Sequence, residues 1–195
     1  MNEIVIKNLS KSFDDKIIFN DLSLSIPFGE RVAFSAPSGY GKTTLIRMIL
    51  GLEKADGGEV LSADNKYSVV FQEDRLLEDF SVKTNIKFID GNLDNEKFGF
   101  VLDGLKLSDV AKKPVKKLSG GMKRRVAIAR AVCAEFDVLI MDEPFKGLDA
   151  VLKEDVISFL NDYIKDKTLI LVTHDIDDAK KLGCKIVDLP SLNLR

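Results

Sequence analysis

The chain reads as an α/β protein built on a largely parallel, buried sheet. Three observations carry that expectation. Short apolar runs at Arg31–Ser35 (RVAFS), 137–141 (DVLIM) and 167–173 (KTLILVT) alternate with stretches of helical periodicity. A glycine-rich turn, Ala36-Pro37-Ser38-Gly39-Tyr40-Gly41-Lys42-Thr43, joins the first of these runs to a helix-like stretch. From 73 to 117 strand signals fade, and leucines and phenylalanines fall at looser helical spacing among charges. That change of texture reads as a helical insertion between two halves of an α/β core.

In order along the chain, 3–9 reads as a strand, and 16–19 and 21–26 as two more, with polar and apolar residues roughly alternating in the last. Pro27-Phe28-Gly29-Glu30 is a turn. Arg31–Ser35 is short and apolar enough for a buried parallel strand. The stretch 43–50 (TTLIRMIL) reads as a helix that Gly51 stops. Gly57-Gly58 turns into a strand at 59–61, and 67–71 (YSVVF) is another, ending at Gln72. Ser119 is placed to cap the next helix, with Gly120 and Gly121 near its first turn and 124–133 as its body. After the strand at 137–141, Leu152, Val156, Leu160 and Ile164 recur on one face of a helix over 150–164. The strand at 167–173 runs into His174, 175–182 is helical, and 185–189 is the last strand.

With 195 residues the chain can bury one sizeable core, or one core with a subdomain. Its 45% hydrophobic and 31% charged content suits a folded globular protein. A net charge of −2 gives no global field to recruit nucleic acid, and no nucleic-acid partner is expected. Cys133 and Cys184 lie far apart, match no metal spacing and sit in apolar contexts. Both read as reduced core residues of a cytosolic protein. The N-terminus MNEIVIKNLSKSF reads as strand and turn rather than signal peptide. No apolar run reaches the roughly 20 residues of a spanning helix, so work at a membrane would go through a partner.

The glycine-rich turn departs from the strict G-x-x-x-x-G-K-[ST] pattern only at its first position, Ala36. That residue sits where the strand leaves the sheet, and a methyl is tolerated there if φ stays negative. Pro37, Ser38, Gly39, Tyr40 and Gly41 complete a loop whose N–H groups can curl round an anion at a helix N-terminus. Lys42 would reach the β- and γ-phosphates of a nucleotide, Thr43 would give its hydroxyl to Mg²⁺, and Thr44 would bond a phosphate further back. Downstream, the strand DVLIM meets two adjacent carboxylates, Asp142 and Glu143. Phosphoryl transfer is mostly positioning and charge stabilisation. Asp142 is therefore expected on the metal side, through water, and Glu143 on the attacking water. Each motif alone has a plainer reading, a glycine-rich strand–helix turn or acids capping the next helix. In this order they read together as a nucleotide-hydrolysing site.

Leu118-Ser119-Gly120-Gly121-Met122, taken with that loop and with Ile140-Met141-Asp142-Glu143-Pro144, resembles the signature of the ATP-binding cassette (ABC) ATPases. Gly147-Leu148-Asp149 is similar to the family's D-loop, and Leu171-Val172-Thr173-His174-Asp175 to its switch region. The likeness runs from Phe13 to His174. It implies a single domain with a P-loop NTPase core of mostly parallel sheet, a small antiparallel β part and an inserted helical subdomain. The core would be 1–72 and 118–195, the helical subdomain 73–117. ATP would be hydrolysed with Mg²⁺ as cofactor, held by Thr43, Gln72 and Asp142. Glu143, His174 and Gln72 would act in catalysis, His174 by bonding the γ-phosphate and holding Glu143 and the water in line. Phe13, where the family usually has tyrosine, would stack on adenine. Ser119, Gly120 and Gly121 would face the γ-phosphate held by a second copy of the chain, so that two copies sandwich two ATP molecules head to tail. Met122 and Arg124 depart from the family's commonest form, and neither is expected to make a key contact.

FQEDRLL (71–77) and the LSGGM form look like the ATPase subunits of bacterial importers for nitrate, sulfonates, taurine and related small anions or thiamine precursors. Glu78 stands where those usually have proline. The resemblance implies an ATP-hydrolysing transporter subunit on the cytoplasmic face of the cell membrane. Membrane permease subunits would dock on the Gln72 loop and the helical subdomain, and a solute-binding protein would belong to the same system. Ending at Arg195, the chain would have no room for a C-terminal regulatory domain. Two alternatives are an ABC ATPase of a soluble, non-transport system and a nucleotide-dependent regulatory module without turnover. The first usually carries two cassettes or a long coiled-coil insertion, neither of which is present, and Glu143 with His174 argues against the second.

Overall fold

The computed structural model describes residues 3–14, 16–62, 65–91 and 93–192. Met1, Asn2 and Arg195, named in the readings of the chain ends, lie outside them. Strand β1 (Glu3–Phe13) pairs antiparallel with β2 (Lys16–Pro27) on one side. On its other side it pairs antiparallel with the strand Gly57–Leu61, β4 in chain order. Two expectations are corrected here. The strands expected at 16–19 and 21–26 are one strand, because residues 20–21 make an irregularity and not an end. The β1–β2 register shifts between Leu9 and Lys11. Asp21 takes φ 59°, and its N–H donates to Ser10 Oγ (3.2 Å). A short polar side chain tolerates that conformation and lets the strand absorb a bulge. Gly57 and Gly58, expected to form a turn, lie inside β4.

Gly58 sits at φ 75°, and a Cβ on it would be 2.3 Å from the carbonyl oxygens of both Lys7 and Asn8. The β1 backbone passes too close for any side chain. Gly58→Ala is expected to destabilise the protein by more than about 1 kcal/mol. Urea denaturation reads this as a lowered midpoint, and an unchanged midpoint would contradict the close approach.

The second sheet holds β3 (Arg31–Ser35), β5 (Tyr67–Val70), β6 (Val138–Asp142), β7 (Thr168–Val172) and β8 (Lys185–Asp188) in the order β5-β6-β7-β3-β8, every pair parallel. Every residue of β6 and β7 is buried, as a parallel sheet covered on both faces requires. The two-residue period divides them. Val138, Ile140, Ile170 and Val172 pack with β1, β2 and helix α1 (Lys42–Ile49). Leu139, Met141, Leu169 and Leu171 pack on the other face, against the helices Gly120–Cys133 and Ala150–Tyr163. Leu189, expected to end the last strand, starts a one-turn helix over Leu189–Leu192 instead.

Between 73 and 117 lie α2 (Val82–Lys87), α3 (Asn95–Gly104) and two 3₁₀ turns, Ser108–Val110 and Val115–Lys117. The described residues there pair as strand only through an isolated bridge, Ser81 to Pro114. Ser81 and Asp94 start the two helices by accepting from the N–H of Thr84 and of Lys97. Ring contacts of Phe100 with Phe159 and Tyr163, at centroid distances of 5.8 and 6.3 Å, tie α3 to Ala150–Tyr163, numbered α5. Among the described residues no helix is long and apolar enough to cross a membrane. Cys133 is buried and Cys184 half-buried, and both are free. Burial pushes their thiols up to about 11 and about 12, away from thiolate at neutral pH.

Candidate functional site

Because the large sheet is parallel, its strands deliver their carboxyl ends to one edge, where ligands of open α/β sheets bind. There β3 runs into the loop 36–41 and α1, β5 stops just before Gln72, β6 ends on Asp142, and β7 leads into Thr173 and His174. Residues scattered over the sequence thereby become neighbours.

Helix α1 starts at Gly41 (φ 92°) without a side-chain cap. The first-turn N–H groups that a cap would occupy are left for an anion. Only glycine serves at 41. The conformation is left-handed, and a Cβ would lie 2.2 Å from Ile18 Cγ2. Lys42 folds back so that Nζ donates to the carbonyls of Ala36 (2.6 Å) and Pro37 (3.0 Å). An ammonium resting on loop carbonyls can exchange them for stronger, charged phosphate oxygens.

Thr43 Oγ1 donates to Asp142 Oδ2 at 2.7 Å. Ser38, Gly39, Gly41, Lys42, Thr43 and Thr44 line a cavity of about 290 Å³, with Gln72, Asp142 and Glu143 opposite. Asp142 is 2% exposed. Burial holds its carboxyl above the ordinary value, against the opposing hydrogen bond from Thr43. A cation beside it would relieve that cost. The hydroxyl of Thr43, the carboxylate of Asp142 and the amide oxygen of Gln72 are hard donors of the kind Mg²⁺ takes. No group of three or more His, Cys, Asp or Glu able to hold a metal occurs among the described residues. Water and nucleotide oxygens would complete the ion's octahedral shell.

Glu143 takes φ 48°, a strained conformation for a residue with a side chain, costing about 1–3 kcal/mol. Its N–H donates to Val172 O (2.8 Å), and its Oε2 lies 2.9 Å from His174 Nδ1. A carboxylate oxygen accepts, so the ring supplies the hydrogen and Nε2 is left for another partner. Lys153, on α5, sits 3.1 Å from Asp175 and 2.6 Å from Asp178. It therefore ties the helix after Gly147-Leu148-Asp149 to the segment after His174. Asp149 itself caps α5 by accepting from Leu152 N–H (2.9 Å).

Ser119 caps α4 (Gly120–Cys133), its Oγ accepting from Met122 N–H at 3.3 Å. That bond uses a lone pair, and the hydroxyl hydrogen is not consumed by it. Ser119, Gly120 and Gly121 line a second cavity of about 600 Å³ with Gly147 and Asp149. A Cβ on Gly121 would come 3.0 Å from Gly147 O, so this helix start and the 147–149 loop are in close contact. The two cavities share only Gln72. Glu143 also lines a third, of about 250 Å³, with His174.

Phe13 is not brought into any of these. It is 44% exposed at the end of β1, with Lys11 Nζ 4.8 Å from its ring centroid. Tyr40 lines an adjoining cavity of about 300 Å³ that shares Ile18, Ser38 and Gly39 with the loop cavity and is also lined by Lys16 and Ile17, the residues of β2 opposite Phe13 and Ser12. Ala36 and Pro37 are placed by their carbonyls, which receive Lys42.

Sequence reasoning gave Arg124 no role, and the structure shows it bound within its own chain. It is 3% exposed and binds both the segment after β5 and the peptides following β6. A usable signal lay in the helical period: Arg124 shares a face with Ile128 and Ala131, both buried. A cation in register with buried positions has to find partners inside.

The model of the ABC transporter family matches residues 19–146 of this chain. The aliphatic sulfonates import ATP-binding protein SsuB 1 of Pseudomonas savastanoi pv. phaseolicola is 38% identical over 184 residues, which is 93% of this chain and 78% of that protein. The spermidine/putrescine import ATP-binding protein PotA of Thermotoga maritima is 38% identical over 204 residues, covering 94% of this chain and 55% of its own length. A solved bacterial Atm1-family ABC exporter with ATP bound shares the fold at TM-score 0.82 and 24% identity, over 91% of this chain and 35% of that one. The chain belongs to the ABC transporter family, as an ATP-hydrolysing subunit.

Proposed function

We propose that this chain powers a small-solute importer by hydrolysing ATP in sites shared between two copies of itself. The separation of the two cavities carries this reading: the loop cavity and the Ser119 cavity touch only at Gln72. Ser119 does not line the loop cavity, and its uncommitted hydroxyl and helix N-terminus still suit an anion. A second copy, placed head to tail, satisfies both. Lys42, the loop N–H groups and Thr44 hold the phosphates. Thr43, Asp142 and Gln72 would hold Mg²⁺, which when bound would neutralise charge on the phosphates. Glu143, steadied by His174, orients water for in-line attack on the γ-phosphorus. The bond to the ADP oxygen breaks, giving ADP and phosphate.

Phe80, Phe88 and Ile89 are more than half exposed in the 73–117 region. Such apolar side chains suit docking of membrane permease subunits on the cytoplasmic face. The FQEDRLL and LSGGM segments, and the import ATP-binding proteins among the relatives, support an importer of a small solute, delivered by a solute-binding protein.

A mixing experiment tests the shared site. Lys42→Met and Ser119→Arg chains are each expected to be inactive. Mixed, they form hybrid dimers with one intact site and regain ATPase activity. Specific activity of the unaltered protein should also rise with its concentration. No recovery on mixing, together with a concentration-independent rate, would overturn the shared site.

A further inference from the structure

Helix α4 carries a second device besides its N-terminus. The guanidinium of Arg124 lies between two segments of the site and is saturated by them. Nη1 donates to Phe71 O (2.6 Å) and to Asp74 Oδ1 (3.0 Å), with Gln72 O at 3.4 Å. Nη2 donates to Asp142 O (2.6 Å) and Glu143 O (2.7 Å), and Nε to Pro144 O (3.0 Å). All five N–H donors of the fork are used. The flanking cations of the helix add to the grip. Lys123 Nζ reaches Glu78 (2.7 Å), and Arg130 donates to the carbonyls of Asp74 (2.9 Å) and Arg75 (2.8 Å).

Burying a permanent charge under one half-buried carboxylate is poor value for stability alone, since apolar packing does as well. A rigid fork that fixes two peptide segments at once does something apolar packing cannot. The segments fixed are the base of the Gln72 loop and the left-handed turn that aims Glu143. We infer that Arg124 is a positioning residue for hydrolysis: it locks the Gln72 loop and the Glu143 turn to the Ser119 helix, so that the water-side carboxylate is aimed only while the three move as one. This rests on the proposed role of Glu143. An amide has two N–H donors and cannot span both segments. Lysine keeps the charge as a point and lacks the fork.

The test compares Arg124→Gln and Arg124→Lys with the unaltered chain, in affinity for a non-hydrolysable ATP analogue, in kcat and in thermal midpoint. Affinity is expected to stay within about twofold, because Arg124 bonds Gln72 and Asp142 only through their backbone carbonyls and touches neither the loop nor α1, where Lys42 and Thr44 lie. kcat is expected to fall about tenfold to a hundredfold, the cost of a misplaced reacting group. Guanidinium ion added to folded Arg124→Gly should recover part of the rate, which a merely structural defect would not allow. Full kcat in folded Arg124→Gln, or loss of affinity in proportion to kcat, would overturn the inference. If the Arg124 variants do not fold, Asp74→Asn gives the same reading from the outer end of the lock. It should lower kcat with affinity kept, and an unchanged kcat counts against the lock. Glu143→Gln run alongside separates the two ideas. If Glu143→Gln turns over normally, the role of Glu143 fails. If it is inactive while the Arg124 variants are fully active, only the lock fails.

Discussion

Glu143→Gln is expected to lower ATP turnover by about 10²–10⁴-fold, the usual worth of a positioned general base, while ATP still binds. The glutamine amide fills the same space and keeps an oxygen toward His174, so the turn at φ 48° and the bond from its N–H to Val172 O are undisturbed. What is lost is the negative carboxylate that accepts from water. The residues proposed to hold the phosphates lie on the loop and α1, line the same cavity, and are untouched. ATP should therefore accumulate uncleaved and hold two chains together. Light scattering with Mg²⁺ and ATP is expected to show a dimer for this variant that persists, where the unaltered protein returns to its resting state as ATP is consumed. Wild-type turnover in Glu143→Gln would remove the residue from its assigned role.

Lys42→Met is expected to weaken ATP binding by about 10- to 150-fold, corresponding to the roughly 1.5–3 kcal/mol of a hydrogen bond to a charged group. Methionine preserves the length and apolar stem of the side chain, so the start of α1 keeps its packing. Two carbonyls, of Ala36 and Pro37, lose their donor, but both sit on an open loop where water replaces it. The defect should thus appear in nucleotide affinity and turnover, with the thermal midpoint of the ligand-free protein nearly unchanged. Isothermal titration with ATP and a melting curve without it separate these. An unchanged affinity would mean that Lys42 stays on the loop carbonyls when nucleotide binds.

The stretch 36–44 was legible because its chemistry is local. A strand, a run of small residues, a lysine and a hydroxyl must follow one another for the loop to form, and spacing along the chain reports that directly. The buried strands were legible for a similar reason. A run of four apolar residues, as in Val138–Asp142 before its final aspartate, suits a strand covered on both faces. Misreadings came where a non-local neighbour decided the outcome. Asn20 looks like a break between two strands, yet Ser10 on β1 accepts from Asp21 and holds the bulge together. Gly57 and Gly58 look like a turn, yet β1 crosses them at a distance only glycine permits.

Residue order alone was enough to give this protein its family, its nucleotide loop and the succession of strands and helices, because those depend on short-range spacing and the two periods of backbone geometry. The folded chain decided which of those motifs share a cavity. Thr43 meets Asp142 across 99 positions, and Ser119 lines a different cavity from the loop that its own chain supplies. Arg124 had to wait for the tertiary structure for the same reason. A guanidinium's role is set by the acceptors that surround it, and all six come from β5, β6 and the loops that follow them, 18 to 53 positions away.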